Sequence, residues 1–200
     1  VVTGQGISCI AYKGGTTMIH FVGAGPGAVD LITVRGQKLL ETADQIIYAG
    51  SLVNPQLLAC AKKDCRILDS AGMTLEAVIA AMEEGEGQGW MTVRLHTGDP
   101  SVYGAIREQM DILSQKGLAY DVVPGVSSFC AAAASLQAEY TLPGISQSVI
   151  ITRMEGRTPV PDKQKIADYA AHQATMVIFL SASLLEGLQA ELLRGGYSAD

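Results

Sequence analysis

Ile19-His20-Phe21-Val22-Gly23-Ala24-Gly25-Pro26-Gly27 is the stretch on which the reading of this chain turns. A short apolar run, Ile19 to Val22, ends in a glycine-rich turn, and a segment of helical period resumes at Val34 and continues to Glu41. Such a run bounded by Gly and Pro reads as a buried strand feeding a helix. The next apolar run, Gln45 to Tyr48, is then a second strand, and a helical crossover between two strands implies parallel pairing.

The same grammar recurs downstream. Thr74 to Glu84 places Leu75, Val78, Ile79 and Met82 on one helical face, and Trp90 to Leu95 reads as a strand. Asp99-Pro100 supplies an N-cap and a first-turn proline, so a helix is expected to start there with the face Val102, Ile106, Met110, Leu113. The strand Tyr120 to Val123 follows, and then Val126 to Gln137, whose four consecutive alanines suit close packing on a sheet. A second unit begins with the strand Val149 to Thr152. It continues with a helix over Asp162 to His172, a strand over Met176 to Leu180 and a helix over Ser183 to Arg194.

These elements predict an α/β chain with a mainly parallel N-terminal sheet over residues 18–145 and a second α/β domain over 146–200. The boundary is expected at the Pro/Gly-containing loop Leu142 to Ser146. Two strands are too few for an independent sheet, so the second domain is expected to be truncated at its C-terminal side. Residues 1–17 read as a leader or remnant before a natural start at Met18.

The chain has 200 residues, 48% of them hydrophobic and 17% charged, and a formal net charge of -6. That composition excludes disorder, and no apolar run is long enough for a membrane span. The acidic balance argues against a broad nucleic-acid-binding face. Cys9, Cys60, Cys65 and Cys130 show no paired metal or disulfide spacing, which fits a cytoplasmic protein with reduced thiols and no metal centre.

Three glycine turns carry the candidate chemistry: Gly23 to Gly27, Thr97-Gly98-Asp99-Pro100, and Pro124-Gly125-Val126-Ser127-Ser128. Each follows a predicted strand, so in a parallel sheet all three lie at the carboxyl edge, where ligands bind. The first also satisfies G-x-G-x-x-A through Gly23, Gly25 and Ala28, with Asp44 downstream as in a dinucleotide fingerprint. Against that rival, Pro26 removes an N–H from the turn, and the helix resumes too late to meet a pyrophosphate. His96 reads as a structural histidine ending a strand, and Ser127 and Ser128 lack any motif for an adjacent base. Arg94, Arg107, Arg153 and Arg157 cluster near the expected cleft as candidates for binding carboxylates, with Arg107 equally able to pair with Glu108 or Asp111 on its own helix.

The chain from Met18 onward resembles the tetrapyrrole methylases. The resemblance rests on His20 to Gly27, on Tyr48-Ala49-Gly50-Ser51-Leu52-Val53-Asn54-Pro55, and on Arg94 to Pro100 continuing through Tyr103-Gly104-Ala105-Ile106 and Glu108-Gln109-Met110. It continues in Pro124 to Ser128, Thr152-Arg153, and Glu155-Gly156-Arg157-Thr158-Pro159-Val160-Pro161. The threonine-preceded Gly-Asp-Pro and the Glu-Gly-Arg-Thr-Pro-Val-Pro loop are similar to the branch that methylates C11 of precorrin-4 or its cobalt form. This resemblance implies a homodimer of two-domain α/β chains that use S-adenosylmethionine to methylate a tetrapyrrole ring carbon. It implies cofactor contacts at Pro26, Thr97, Gly98, Asp99, Val102, Tyr103, Ser127, Ser128 and Leu180, with Asp99 and Tyr103 as candidates for the proton transfer. Arg153, Arg157 and Arg107 would then face the carboxylates of the substrate. Action at another tetrapyrrole ring carbon, or a non-catalytic fragment that keeps the fold, are the alternatives.

Overall fold

The computed structural model describes residues 18–199, so the leader expected over 1–17 lies outside the described residues. The chain divides into two compact units, one ending at Ser128 and the other running from Phe129. The loop 142–146 therefore lies within the second unit.

The first unit is built on a five-stranded parallel sheet: β1 (Ile19–Gly23), β2 (Gln45–Tyr48), β3 (Arg66–Asp69), β4 (Thr92–His96) and β5 (Tyr120–Val123), in the spatial order β3-β2-β4-β1-β5. Every residue of β1 and β4 is buried. Central parallel strands covered on both faces are mostly apolar, but β4 buries Thr92, Arg94 and His96 beside Val93 and Leu95. Alternation splits the core: Val22, Ile46, Val93 and Leu95 face one side with Leu39 and Leu40 of α1 (Val34–Thr42). Ile19, Phe21 and Ile47 face the other, with Val78, Ile79 and Met82 of α2 (Leu75–Gly87) and Leu113 of α3 (Arg107–Gln115). Each fully buried Phe, Leu or Ile contributes about 1.5–3 kcal/mol. Thr33 and Thr74 cap α1 and α2 by accepting hydrogen bonds from Gly36 N at 3.1 Å and Ala77 N at 3.2 Å.

The helix foreseen at Asp99-Pro100 begins only at Arg107. Tyr103 and Ala105 take φ of 56° and 51°, which no helix accommodates, and Gly104 packs against Pro100 so closely that a Cβ would sit 2.2 Å from its carbonyl oxygen. Val102 is thus outside the helix, while Ile106 and Leu113 keep their buried positions. The short edge strand β3, with its alternating exposure, is an element that the sequence reading did not place.

In the second unit, β6 (Val149–Arg153) and β7 (Thr175–Phe179) pair in parallel, joined through α5 (Ile166–Ala170), and α6 (Leu185–Arg194) packs on α5. The alanine-rich α4 (Ser128–Leu136) was expected to lie on a sheet, yet none of its residues is buried. Alanines offer little area to cover, and the contacts come from Phe129, whose ring lies 6.1 Å from that of Tyr140 and 6.5 Å from that of Phe179.

Candidate functional site

Strands β4, β1 and β5 are adjacent in the sheet, so the turns that follow them emerge side by side at its carboxyl edge. Their main chains interlock. Ala24 N–H donates to His96 O at 2.7 Å, and Gly25 and Gly98 form an antiparallel bridge with N···O distances of 3.2 and 2.8 Å. Gly125 N–H donates to the Asp99 carboxylate at 2.9 Å. Side chains are excluded from the crossing point: a Cβ on Gly23 would lie 2.5 Å from Gly125 Cα, and one on Gly125 would lie 2.1 Å from Gly98 O. Gly98, at φ +60°, lies beside Ser127, whose Cα would be 3.6 Å from a Cβ there. The three turns thus meet, bringing Pro26, Thr97, Gly98, Asp99, Ser127 and Ser128 to one edge. Gly98 and Ser127 are buried at its base, and Thr97 and Ser128 are exposed at its rim.

Asp99 fixes this arrangement. One carboxylate oxygen accepts from Ser101 N–H at 2.8 Å and from the Ser101 hydroxyl, and the other accepts from Gly125. Burial pushes its pKa upward, but the Ser101 hydroxyl, the Gly125 amide and the Ser101 amide outweigh that and hold it below the ordinary carboxylate value. Asn54 was not among the expected site residues. Its side chain donates to Gly27 O at 2.7 Å and accepts from Gln56 N–H at 3.0 Å, tethering the segment after β2 to the first glycine turn. The Asn54-Pro55 pair, a cap followed by a first-turn proline, was the available signal.

Below the turns, Arg94 is buried and donates to Gln109 Oε1 at 3.3 Å and to Ile47 O at 3.1 Å. Burial lowers its pKa to about 10. His96 is also buried, 6.0 Å from the Phe21 ring, and burial, reinforced by the Arg94 charge, lowers its pKa to about 3. It is therefore a neutral imidazole at physiological pH.

The rival dinucleotide reading fails on Asp44. Its carboxylate pairs with Lys62 and accepts from Met91 N–H at 2.7 Å, ahead of β2 and away from the carboxyl edge where a ribose would be held.

Backbone strain is found in each unit. Of the non-glycine residues with positive φ, Gln137 and Gln173 follow the ends of helices, where that conformation is ordinary. Tyr103, Ala105 and Leu180 do not, and two of these are expected cofactor residues. Leu180, at φ 55° just beyond β7 in the second unit, leaves its side chain 71% exposed. Beside it, buried Ser181 accepts from Met154 N–H at 3.0 Å and donates to Phe179 O at 2.7 Å, joining the carboxyl ends of β6 and β7.

The arginines differ in their surroundings. Arg153 donates to the carbonyls of Met154, Thr158 and Pro159 at 3.3, 3.0 and 2.8 Å, folding the loop on itself. Arg157, near the middle of that loop, is exposed and forms no ion pair among the described residues. Arg107 pairs with Asp111 at 2.9 Å on the exposed face of α3.

Comparison with known proteins bears on what such an edge holds. Residues 18–200 match the family model of Tetrapyrrole (Corrin/Porphyrin) Methylases. A cobalt-precorrin-4 C(11)-methyltransferase of Methanocaldococcus jannaschii is 57% identical over 179 residues, covering 90% of this chain and 69% of that protein. The X-ray structure of a cobalt precorrin-4 methyltransferase of cobalamin biosynthesis superposes with a TM-score of 0.89 at 48% identity, covering 92% of this chain and 77% of that one. A uroporphyrin-III C-methyltransferase from Thermus thermophilus, solved with S-adenosylhomocysteine, gives a TM-score of 0.73 at 26% identity, covering 90% of this chain and 73% of that one.

Proposed function

Because this chain belongs to the tetrapyrrole (corrin/porphyrin) methylases, we propose that it transfers a methyl group from S-adenosylmethionine to C11 of precorrin-4, with the cobalt form as the first substrate to test. The observation that carries the reading is the meeting of three bare main-chain turns at one sheet edge, in a chain 57% identical to a C11-methyltransferase. Action at another ring position is less well supported, since likeness to uroporphyrin-type enzymes falls to 26% identity in the superposed structure, or 39% over only 58% of this chain.

The residues present fit the cofactor. Main chain free of bulky side chains accommodates a flat adenine and a ribose. Thr97 and Ser128 add hydroxyls at the rim, and the ionised Asp99 supplies the only carboxylate in these turns, suited to a cationic donor. We assign Pro26, Thr97, Gly98, Asp99, Val102, Tyr103, Ser127, Ser128 and Leu180 to cofactor recognition. The cofactor brings a methyl group already activated by the sulfonium charge. The protein's task is alignment, and holding reactants in near-attack geometry supplies about 7–11 kcal/mol. Tyr103, held in its strained conformation, is the candidate to take up or relay the proton released at the ring. Arg157 is assigned to the substrate's carboxylates, with Arg153 shaping its loop and Arg107 a peripheral contact.

Homodimeric assembly in the cytoplasm belongs to the same reading; among the described residues, Cys60, Cys65 and Cys130 are free thiols, and no helix is long and apolar enough to cross a membrane. Incubation with cobalt-precorrin-4 and methyl-labelled S-adenosylmethionine tests the proposal. One labelled methyl at C11, located by NMR, is the expected product. Label at another carbon, or none with either form of precorrin-4, overturns it.

A further inference from the structure

The Asp99 carboxylate sits where the chemistry is expected, yet three of its roughly four acceptor positions are directed into the protein. It takes two donors from Ser101 on one oxygen and the Gly125 amide on the other. The Ser101 bonds shape the turn after β4, and the Gly125 bond spans to the turn after β5. That second bond lies beside the point where Gly23, Gly98 and Gly125 touch, glycines that carry no side chain of their own to act as a latch. A carboxylate bonding to a backbone N–H is a charge-assisted contact, roughly twice as strong as a neutral one.

We infer that Asp99 is a positioning residue, the clasp that holds the β5 turn against the β4 turn so that their main chains present one cofactor surface, and not the group that removes the proton. A general base must offer a lone pair to the substrate within about 2.6–3.2 Å. Asp99 has a single acceptor position left, on the oxygen that holds Gly125 N–H, and a proton taken there would weaken the bond that organises the turn. Its pKa, held below the ordinary carboxylate value by those same donors, also makes it a poor proton acceptor at neutral pH. This inference rests on the methyltransferase reading for its kinetic consequence, but the clasp itself is a property of the unliganded chain.

The test uses Asp99→Asn and Ser101→Ala in the full chain. In Asp99→Asn, a uniform amide cannot accept from both the Ser101 donors and Gly125. Without cofactor, the Gly125 amide is expected to exchange hydrogen about tenfold faster by NMR, with a smaller rise in Ser101→Ala. S-adenosylhomocysteine should bind Asp99→Asn about ten- to a hundredfold more weakly by calorimetry. Turnover at saturating cofactor should fall less than affinity does, and the acid limb of its pH profile should keep its position. Parent-like cofactor affinity combined with a turnover loss of about a hundredfold or more and a vanished acid limb would make Asp99 the base and overturn the inference. Parent-like Gly125 exchange in both variants would also overturn it, even if the parent proved to bind no cofactor, an outcome that would count against the proposed function alone. If Asp99→Asn fails to fold, Ser101→Ala decides: unchanged Gly125 exchange and cofactor affinity reject the clasp.

Discussion

Replacing Gly125 by alanine adds one methyl group at the place where the three turns meet. Its Cβ would lie 2.1 Å from Gly98 O and 2.8 Å from Gly23 Cα, whereas ordinary contact begins at 3.4 Å. Both obstacles are backbone and cannot rotate away, so the β5 turn must withdraw by about 1 Å. That withdrawal stretches the 2.9 Å bond from Gly125 N–H to Asp99 beyond bonding distance. Overpacking costs about 1–3 kcal/mol and loss of a bond to a charged group about 1.5–3 kcal/mol, so unfolding free energy should fall by roughly 2.5–6 kcal/mol. Affinity for S-adenosylhomocysteine should fall at least about tenfold, since 1.4 kcal/mol of misalignment suffices for that. Urea denaturation and calorimetric titration measure the two effects. Gly87→Ala is the control, because Gly87 ends α2 with nothing within 4 Å of an added Cβ, and it should leave both quantities unchanged or slightly raise stability. A Gly125→Ala protein as stable as its parent and equal in cofactor affinity would refute the close packing on which the site reading is built.

Other outcomes follow from single residues. His96, with its pKa lowered to about 3 by burial and the Arg94 charge, refuses a proton that the unfolded chain accepts near 6.5, so stability should fall as pH drops through that window. The loss attributable to His96 between pH 7.5 and 5 is roughly 2 kcal/mol, and denaturation curves of His96→Gln should lack that component; parallel pH dependence in both proteins would contradict the buried neutral state. Leu180→Gly removes a left-handed conformation worth about 1 kcal/mol while deleting a side chain that is 71% exposed. Its thermal midpoint should hold or rise while its KM for cofactor increases, and a lowered midpoint would show that the side chain is structural. Arg157→Ala should raise the KM for the tetrapyrrole about tenfold and leave S-adenosylhomocysteine titration unchanged, whereas equal weakening of both removes Arg157 from substrate binding.

The strands of the central sheet were legible because parallel strands buried on both faces must be apolar almost throughout. Ile19 to Val22 and Gln45 to Tyr48 announce themselves in this way, and the glycine turns after them follow from the need for tight exits. β3 was not legible, since an edge strand half open to water alternates Arg66, Ile67, Leu68 and Asp69 with no flanking run to distinguish it from a loop. The start of α3 was misread because Asp99-Pro100 carries the local chemistry of a helix N-terminus, while the bond that decides its use, to Gly125, joins residues far apart in sequence. The alanines of α4 suggested a packed helix, but small side chains are compatible with burial without requiring it. At the site, the residues of the three turns could be named from their glycines alone. What could not be named was how they interlock, through Asn54 on Gly27, Gly25 on Gly98 and Asp99 on Gly125, because each is a long-range contact with no periodic trace.

Hydrogen exchange of the unmodified chain with and without S-adenosylhomocysteine tests the central claim most directly, because it asks whether one ligand touches all three turns at once. Simultaneous protection of the separate segments 24–28, 97–103 and 125–128, with the α2 segment unchanged, is the result this account expects. Saturating ligand that slows exchange in only one of those segments, or in none, would contradict it.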